Sequence, residues 1–326
     1  MSLELEAAAA AVRALPPDAK VLLVCHVNPD GDALGSMLGF GQGLRQLGLG
    51  QLQCTFPGPL SVPEPLHMPG MDLLVPEAQA YAEPDMLVTF DAASTSRLGD
   101  LASRLDTAVV SIVLDHHASN AGFGKLRLVD PGAAATAVVA VRLLEKLGVV
   151  FDKGIAECLY VALVTDTGSF KFDLTTPEVH QLAARLVDTG ISVGEISRRI
   201  FDTRPFGAVR LFGEVLGRAS LDPSAVRGLG LVTAVATLDD LERHRQPPYV
   251  LEALIDSVRC TAEADVACLL KQVTPDEWAV SLRSKGGADV SEVAVALGGG
   301  GHRLAAGFTG RGTAEEVISA VRMILG

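Results

Sequence analysis

One short segment of the chain concentrates side chains that could bind a metal ion. His26, Asp30 and Asp32 lie within a span of seven residues. Pro29 and Gly31 stand between them and favour a turn, in which the three side chains can converge instead of alternating. A carboxylate-rich turn that caps a following helix would have the same composition. The segment by itself therefore leaves two interpretations open, a helix cap and a set of metal ligands.

Three further segments place carboxylates or imidazoles just beyond an apolar run. Asp91 follows one run, the sequence Asp115-His116-His117 follows the next, and Asp166 lies just beyond a third. A lone Asp after a strand is more typical of a turn, and the segment around Asp166 is more typical of a helix end, whereas two adjacent histidines after Asp115 are harder to explain in that way. Carboxylates gathered at one place, however, would raise one another's pKa values unless cations neutralised them. Their shared position therefore favours a metal centre.

The ligand types indicate which metal such a centre would hold. Carboxylate oxygens with a few imidazole nitrogens suit Mn²⁺ or Mg²⁺. The five cysteines are widely spaced and include no C-x-x-C pair, so we expect neither a structural zinc site nor a disulfide framework. Two divalent ions roughly 3.5 to 4 Å apart would generate a hydroxide nucleophile and stabilise a phosphorane-like transition state. The expected chemistry is attack on a phosphate ester.

The elements that must position these groups alternate between strand and helix. Such alternation is typical of a doubly wound, mainly parallel α/β sheet, in which ligands bind beyond the carboxyl ends of the strands. His26, Asp91 and Asp115 each follow a predicted strand, so the topology brings them to one edge of the sheet. The predicted strands cover residues 21–25, 51–56, 86–90 and 108–114, and the predicted helices cover residues 32–47, 134–147, 155–164 and 177–187.

The rest of the chain predicts a second, smaller α/β domain. A length of 326 residues favours two domains over one. We interpret residues 1–195 as a catalytic metal-binding domain, residues 196–219 as a helical connector and residues 220–326 as a substrate-binding domain. The predicted strands of the second domain cover residues 229–237, 265–273 and 278–283, and its predicted helices cover residues 238–244, 249–257, 290–296 and 314–325.

Charge and hydropathy exclude several classes of protein. The chain has 27 Lys and Arg against 39 Asp and Glu, a net charge of −12, whereas proteins that bind long nucleic acids need a basic excess. No apolar run approaches the roughly 18 residues that span a bilayer. Glu4 and Glu6 stand where a secretory signal would carry Lys or Arg. We therefore expect a cytoplasmic protein with no membrane role and no long nucleic acid as a partner.

The four acidic and histidine segments resemble, in order and spacing, the four motifs of the Asp-His-His (DHH) phosphoesterase superfamily. The matching sequences are H-x-x-x-D-x-D at residues 26–32, a single Asp at 91, D-H-H at residues 115–117 and T-D-T-G at residues 165–168. The resemblance covers essentially the whole chain. It implies a two-domain hydrolase that acts on phosphate esters.

The resemblance also implies a role for each motif residue. It implies two bound Mn²⁺ ions, with Mg²⁺ or another divalent ion as the alternative. The ligands of one ion would be His26, Asp30 and Asp91. The ligands of the other would be Asp32, Asp91, His116 and Asp166, with Asp91 as the bridge. The catalytic residues would be His117, which meets the phosphate and protonates the leaving oxygen, and Asp115, which orients a histidine.

A run of four glycines at residues 298–301, followed by His302, marks the second domain. Ordered glycines cost roughly 0.5 to 1 kcal/mol each relative to alanine, so the run is either a flexible hinge or a backbone nest that binds an anion. The G-G-G-G-H sequence resembles the DHH-associated substrate domain. The candidate substrate-binding residues are Arg283, Ser284, Gly299, Gly300, Gly301 and His302.

The G-G-G-G-H sequence indicates which branch of the superfamily this chain resembles most. RecJ-type exonucleases are longer and carry an added oligonucleotide-binding domain, and manganese pyrophosphatases end in an Arg-Lys-Lys tail. The nanoRNase/pAp phosphatases of the NrnA type match best. The resemblance therefore implies hydrolysis of very short oligoribonucleotides and linear dinucleotides to 5′-mononucleotides, and of pAp to AMP. Cyclic dinucleotides are a further substrate class that it allows. The nucleophile would be a hydroxide that bridges two Mn²⁺ ions.

Two other functions stay open from the sequence. One is a manganese inorganic pyrophosphatase, and the other is a catalytically silent sensor that binds a nucleotide and signals. All six expected ligands and His117 are present, which favours an enzyme. The ranking of substrates, the cleavage polarity, the metal used in the cell and the oligomeric state, with a homodimer as one option, are not determined by the sequence.

Overall fold

The computed structural model of the chain describes residues 2–326 and consists of two compact units. The first unit ends at Asp202 and the second begins at Thr203. This boundary lies within residues 196–219, which the sequence predicts as a connector. No helix among residues 2–326 combines the length and the apolar character that crossing a membrane requires.

The first unit is built on a five-stranded sheet in which all pairs are parallel. Its strands are β1 (Lys20–Cys25), β2 (Gln51–Thr55), β3 (Met86–Phe90), β4 (Val110–Asp115) and β5 (Leu126–Val129). The order across the sheet is β2-β1-β3-β4-β5, which confirms the predicted parallel α/β sheet. The direction of winding reverses between β1 and β3, the place where such sheets bind ligands. The sequence does not predict β5, because Arg127 interrupts its short apolar run.

Helices of the first unit agree with most of the predicted ones. The α-helices are α1 (Ser2–Arg13), α2 (Gly31–Gln46), α3 (Arg104–Thr107), α4 (Thr136–Leu147), α5 (Lys153–Asp166), α6 (Pro177–Asp188) and α7 (Val193–Ser197). The 3₁₀ segments are Glu64–Leu66, Met71–Leu73, Glu77–Gln79 and Thr95–Ser103, and a π-helical turn covers Arg198–Asp202.

The two faces of this sheet are covered differently. Val21 and Leu23 of β1 lie in a large apolar core with the buried sides of α1, α2, α4 and α5. Leu22 and Val24 lie on the opposite face and pack with Leu98 of a 3₁₀ segment. Because both faces are buried, the strands are apolar at nearly every position. The polar residues that follow them therefore stand out in the sequence.

Glycines on α2 let α5 approach it closely. A Cβ atom on Gly31 would lie 2.4 Å from Oγ1 of Thr165, and one on Gly35 would lie 2.3 Å from the carbonyl oxygen of Cys158. Close-packed interiors do not accommodate non-bonded contacts of this length. The absence of side chains at these positions brings the start of α2 beside the end of α5, and with them Asp32 beside Asp166.

The second unit has a six-stranded mixed sheet, as predicted for a smaller α/β domain. Its strands are β6 (Ser220–Asp222), β7 (Leu231–Ala236), β8 (Val266–Thr274), β9 (Glu277–Ser284), β10 (Gly300–His302) and β11 (Ala305–Arg311). The order is β10-β11-β9-β8-β7-β6, and within the described strands of this second sheet only the pairing of β7 with β8 is parallel. The sequence misses β10 and β11 because glycine and alanine have low strand propensity.

Helices cover both faces of this second sheet. They are α8 (Phe206–Gly217), α9 (Ala225–Gly228), α10 (Leu238–His244), α11 (Leu254–Val258), α12 (Val290–Ala296) and α13 (Ala314–Leu325), with a 3₁₀ segment at Pro248–Ala253. Leu211 of α8 packs into the core of this unit, whereas Ile196 of α7 packs into the core of the first. The helical segment predicted at residues 196–219 is interrupted before Pro205, since the residue before a proline is disfavoured in a helix.

Candidate metal centre

The carboxyl ends of β1, β3 and β4 carry the histidines and carboxylates that the sequence singles out. His26 follows β1, Asp91 follows β3, and Asp115 is the last residue of β4. Asp91 has a backbone φ of +56°, and Asn28 in the turn after β1 has a φ of +53°. Non-glycine residues seldom adopt this left-handed conformation, and such strain is concentrated at functional sites. Both residues flank the carboxyl ends of β1 and β3, where the acidic and histidine side chains are grouped.

A first group of potential metal ligands joins His26, Asp30 and Asp91, whose donor atoms lie within 4.8 Å of one another. His26 Nδ1 lies 2.8 Å from the carbonyl oxygen of Val27. A carbonyl oxygen only accepts hydrogen bonds, so Nδ1 carries the proton. In the neutral ring the other nitrogen, Nε2, carries the lone pair, and it lies 3.4 Å from Asp91 Oδ2. This is the tautomer in which an imidazole binds a metal.

A second group joins Asp32, Asp91 and His116, again within 4.8 Å. His116 Nδ1 donates a hydrogen bond to the carbonyl oxygen of Ala133 at 3.1 Å, so its Nε2 also presents a lone pair. That Nε2 lies 3.6 Å from Asp91 Oδ1, 3.9 Å from Asp32 Oδ2 and 3.2 Å from Asp166 Oδ2. Asp91 belongs to both groups, with one oxygen toward each.

A hydrogen-bonded pair of Asp115 and His117 lies beside these two groups. His117 Nδ1 donates to Asp115 Oδ1 at 2.8 Å, and the backbone N–H groups of His116 and His117 donate to the same oxygen. Asn120 donates to Asp115 Oδ2 at 2.6 Å. Burial acts to lower the pKa of His117, but the bond to Asp115 and the charge of Asp91 outweigh it and raise this pKa to about 9. His117 is therefore suited to donate a proton.

The carboxylates of the centre differ in how easily they ionise. Burial, followed by the charges of Asp91 and Asp166, raises the pKa of Asp32 well above its usual range. Burial also acts to raise the pKa of Asp91, but the hydrogen bond that a protonated His26 donates and the charge of His117 together hold this pKa well below its usual range. Asp32 can therefore ionise beside Asp91 and Asp166 only when a cation offsets their charge. Oxygen and imidazole donors with no cysteine in either group fit Mn²⁺ or Mg²⁺.

Some residues of the centre were not predicted from the sequence. Thr136 donates from its hydroxyl to Asp91, its backbone N–H donates to Asp32, and Asn120 holds Asp115. Thr136 begins a segment with clear helical spacing, which is a weak signal for a residue at a helix end. Which carboxylates this helix end meets could not be inferred, because they lie far away in the sequence.

The predicted substrate-binding residues lie in the second unit. Arg283, Ala305 and His302 are register partners across β9, β11 and β10, so their side chains leave the same face of the sheet. Gly300 pairs with Gly307 on the same face. Because neither residue has a side chain, no bulky group covers the sheet at this position. The candidate residue Ser284 is instead buried and donates its hydroxyl to Asp265, where it organises a loop.

Steric constraints account for part of the glycine run. A Cβ on Gly299 would lie 2.1 Å from the carbonyl oxygen of Gly307, and one on Gly301 would lie 2.5 Å from Cα of Ala306. These two glycines therefore allow the β10–β11 hairpin to close. A Cβ on Gly300 would meet nothing within 4 Å. Packing does not explain the glycine at this position.

Comparison with known proteins agrees with this geometry. Residues 20–163 match the DHH family N-terminal domain, and residues 233–326 match the DHHA1 domain. A protein of Thermus thermophilus named bifunctional oligoribonuclease and PAP phosphatase NrnA is 33% identical over 314 residues, 93% of this chain and 89% of that protein. The protein of the same name from Bacillus subtilis is 26% identical over 88% of each chain.

Solved structures show the same fold. An exopolyphosphatase-related protein from Bacteroides fragilis superposes with a TM-score of 0.87 at 23% identity and covers 100% of this chain and 96% of its own. DHH phosphoesterases depend on metal ions, and the buried acidic and histidine residues described above could bind them. The chain therefore belongs to the DHH family of phosphoesterases and, within it, resembles the NrnA type over nearly its whole length.

Proposed function

We propose that this enzyme hydrolyses very short oligoribonucleotides and linear dinucleotides to 5′-mononucleotides, and pAp to AMP. The observation that carries the proposal is the position of Asp91, whose two carboxylate oxygens face two separate groups of ligands. A shared carboxylate of this kind suits a pair of divalent cations. The names of the relatives from Thermus and Bacillus, oligoribonuclease and PAP phosphatase, supply the substrate classes.

The proposed cofactor is a pair of Mn²⁺ ions, with Mg²⁺ as the alternative. His26, Asp30 and Asp91 would hold one ion. The second would be held by Asp32, Asp91, His116 and Asp166. When bound, the ions supply a nucleophile from water at neutral pH and neutralise the charge that develops on the phosphate. The carbonyl oxygens of Val27 and Ala133 keep both ligand histidines in the tautomer that can bind a metal.

His117 is the proposed general acid. Its Nδ1–H is held by Asp115, so the protonated ring can give its Nε2 proton to the leaving oxygen as the P–O bond breaks. Asp115 is fully buried and accepts four hydrogen bonds. Because these bonds fix its orientation, Asp115 acts through His117 and needs no contact with the substrate.

Substrate selection is proposed to lie in the second unit. Arg283 and His302 lie on one face of its sheet, with small residues between them, and could hold a nucleotide phosphate through charge-assisted hydrogen bonds. Gly300 could donate its backbone N–H there without steric conflict, whereas the roles proposed for Gly299, Gly301 and Ser284 compete with their packing roles. A net charge of −12 disfavours long nucleic acids.

A panel of substrates tests the proposed function. The stripped protein is given Mn²⁺ or Mg²⁺ and then pApA, a five-nucleotide RNA, pAp, cyclic di-AMP, pyrophosphate and a long RNA, and the products are separated by chromatography. We expect turnover of pApA, the short RNA and pAp, slower turnover of cyclic di-AMP, and none of the long RNA. Pyrophosphate as the fastest substrate would show a pyrophosphatase, and binding without turnover would show a nucleotide sensor.

Metal binding should raise the thermal stability of the protein. Mn²⁺ at a concentration 100 times its Kd adds about 2.7 kcal/mol to the free energy of unfolding. For a unit of this size that corresponds to an increase in Tm of about 5 to 11 °C. Melting of the EDTA-stripped chain with and without Mn²⁺, followed by circular dichroism, measures the shift. Equal Tm values at millimolar Mn²⁺ would contradict the proposed centre.

Replacement of Arg283 should affect substrate binding more than chemistry. Hydrogen bonds to charged groups contribute about 1.5 to 3 kcal/mol, so Arg283→Ala should raise the KM for pApA roughly 10- to 100-fold. The kcat and the affinity for Mn²⁺ should change little. Arg311→Ala is the matched control, because Arg311 is an exposed arginine on the same sheet. A parallel loss of Mn²⁺ affinity in Arg283→Ala would refute the proposed division of roles.

The cytoplasmic location and the homodimer remain predictions. None of the five cysteines, all within the described residues, forms a disulfide, as in proteins of a reducing compartment. Light scattering after size-exclusion chromatography measures the oligomeric state.

A further inference from the structure

We propose that Thr136, the first residue of α4, is a positioning residue that holds two of the proposed metal ligands at once. The inference rests on the proposed function, because it concerns the same metal centre. Thr136 is fully buried and is provided by a helix that contributes none of the proposed ligands. It contacts Asp32 through its backbone and Asp91 through its side chain.

The backbone contact fixes the direction of the Asp32 carboxylate. The N–H of Thr136 donates to Asp32 Oδ2 at 2.6 Å, and the N–H of Ala137 donates to Oδ1 at 3.1 Å. These are the first N–H groups of a helix of 12 residues, which have no partner within the helix and lie at the positive end of its dipole. Ser36 adds a third bond to Oδ1 at 2.9 Å. Both oxygens of Asp32 are therefore fixed in direction.

The side-chain contact orients Asp91. The hydroxyl of Thr136 donates to Asp91 Oδ1 at 2.9 Å, while Oδ2 faces His26. An ionised carboxylate only accepts hydrogen bonds, so the hydroxyl hydrogen must point at Oδ1. Rotation of the carboxylate about its Cβ–Cγ bond would break this hydrogen bond. The hydroxyl therefore keeps one oxygen of Asp91 directed at each group of ligands, the arrangement that a bridge between two cations needs.

Two substitutions separate the hydroxyl from the rest of the residue. Thr136→Val keeps the shape of the side chain and the backbone N–H to Asp32 but removes the bond to Asp91. Thr136→Ser keeps the hydroxyl. The matched control is Thr89→Val, since Thr89 is also fully buried, lies on β3 two residues from Asp91, and has a hydroxyl without a hydrogen-bond partner among the described residues.

Titration of the full-length, EDTA-stripped chain with Mn²⁺, with the unbound ion counted by its EPR signal, tests the inference. We expect Thr136→Val to weaken Mn²⁺ binding about 10- to 100-fold, the usual effect of removing a hydrogen bond to a metal ligand. Thr136→Ser and Thr89→Val should bind Mn²⁺ as the wild type does. With saturating Mn²⁺, the kcat for pApA should fall in Thr136→Val and be restored in Thr136→Ser.

The outcomes distinguish the inference from the proposed function. If the wild type binds Mn²⁺ and hydrolyses pApA but Thr136→Val binds Mn²⁺ equally well, the positioning role is refuted and the function stands. Equal losses in the Ser and Val variants would also refute it, because the hydroxyl would not be the cause. If the wild type binds no Mn²⁺, the metal centre and the inference fall together. Thr136→Ala replaces the Val variant if melting without metal shows that the latter does not fold.

Discussion

Substitution of Asp91 by asparagine should reduce kcat/KM for pApA by at least about 10³-fold. Asn keeps the size of the side chain and an oxygen that can accept the bond from Thr136, but it removes the charge that both ligand groups share. A two-metal site contributes several kcal/mol of charge stabilisation, and about 4 kcal/mol corresponds to 10³-fold in rate. Single-turnover kinetics in Mn²⁺ measure the loss of rate, and the EPR titration measures the loss of Mn²⁺ affinity.

Asp85→Asn is the matched control for this experiment. Asp85 precedes β3 at the opposite end of the strand from Asp91, is exposed, and accepts a hydrogen bond from the backbone of Lys20. The same change of charge at this end of the strand should leave Mn²⁺ affinity and turnover close to the wild-type values. Retention of more than a tenth of the activity in Asp91→Asn, with normal Mn²⁺ affinity, would refute the assignment of Asp91 as the shared ligand.

Substitution of His117 by asparagine should lower kcat for pApA by about 10² to 10⁴-fold, the range that general acid catalysis supplies. The Asn amide can still donate to Asp115, so the loop should keep its conformation. His117 is outside both groups of proposed ligands, and Mn²⁺ affinity should therefore change little. Loss of rate without loss of metal is the signature that separates His117 from Asp91.

A change of leaving group tests the role of His117 directly. A nitrophenyl ester of AMP releases nitrophenolate, which leaves without being protonated. The kcat for this ester should therefore fall only about tenfold or less in His117→Asn. Equal losses with pApA and with the nitrophenyl ester would contradict the role of general acid. His67→Asn, at an exposed histidine beside a 3₁₀ segment, controls for the substitution itself.

The first sheet could be predicted because its strands are buried on both faces. The predicted runs at residues 21–25 and 86–90 coincide with β1 and β3 almost residue for residue. The strands that the sequence misses have a different composition. Arg127 interrupts the edge strand β5, and glycine and alanine fill much of β10 and β11, whose pairing depends on contact with β9. Where strand formation depends on neighbours in space, local propensity is a weak guide.

The glycine run at residues 298–301 shows how one sequence pattern can have more than one cause. The sequence suggests either a hinge or an anion nest, and the structure adds a third reason. Gly299 and Gly301 allow two backbones to meet in a hairpin, where a Cβ atom would collide with the opposite strand. Gly298 and Gly300 both have open space at the Cβ position, but Gly298 has a φ of +82°, which by itself favours glycine, and Gly300 lies on the face shared with Arg283 and His302.

By itself, the sequence determined the residue types of the candidate metal centre and the strand ends on which His26, Asp91 and Asp115 lie, since parallel strands bring their carboxyl ends to one edge. Only the tertiary structure decided how those side chains are held. Asp32 and Thr136 are separated by 104 residues, and their 2.6 Å bond exists because α2 and α4 pack over the same sheet. A hydrogen bond depends on positions within a few tenths of an ångström. Such positions follow from the packing of whole helices, which residue spacing along the chain does not encode.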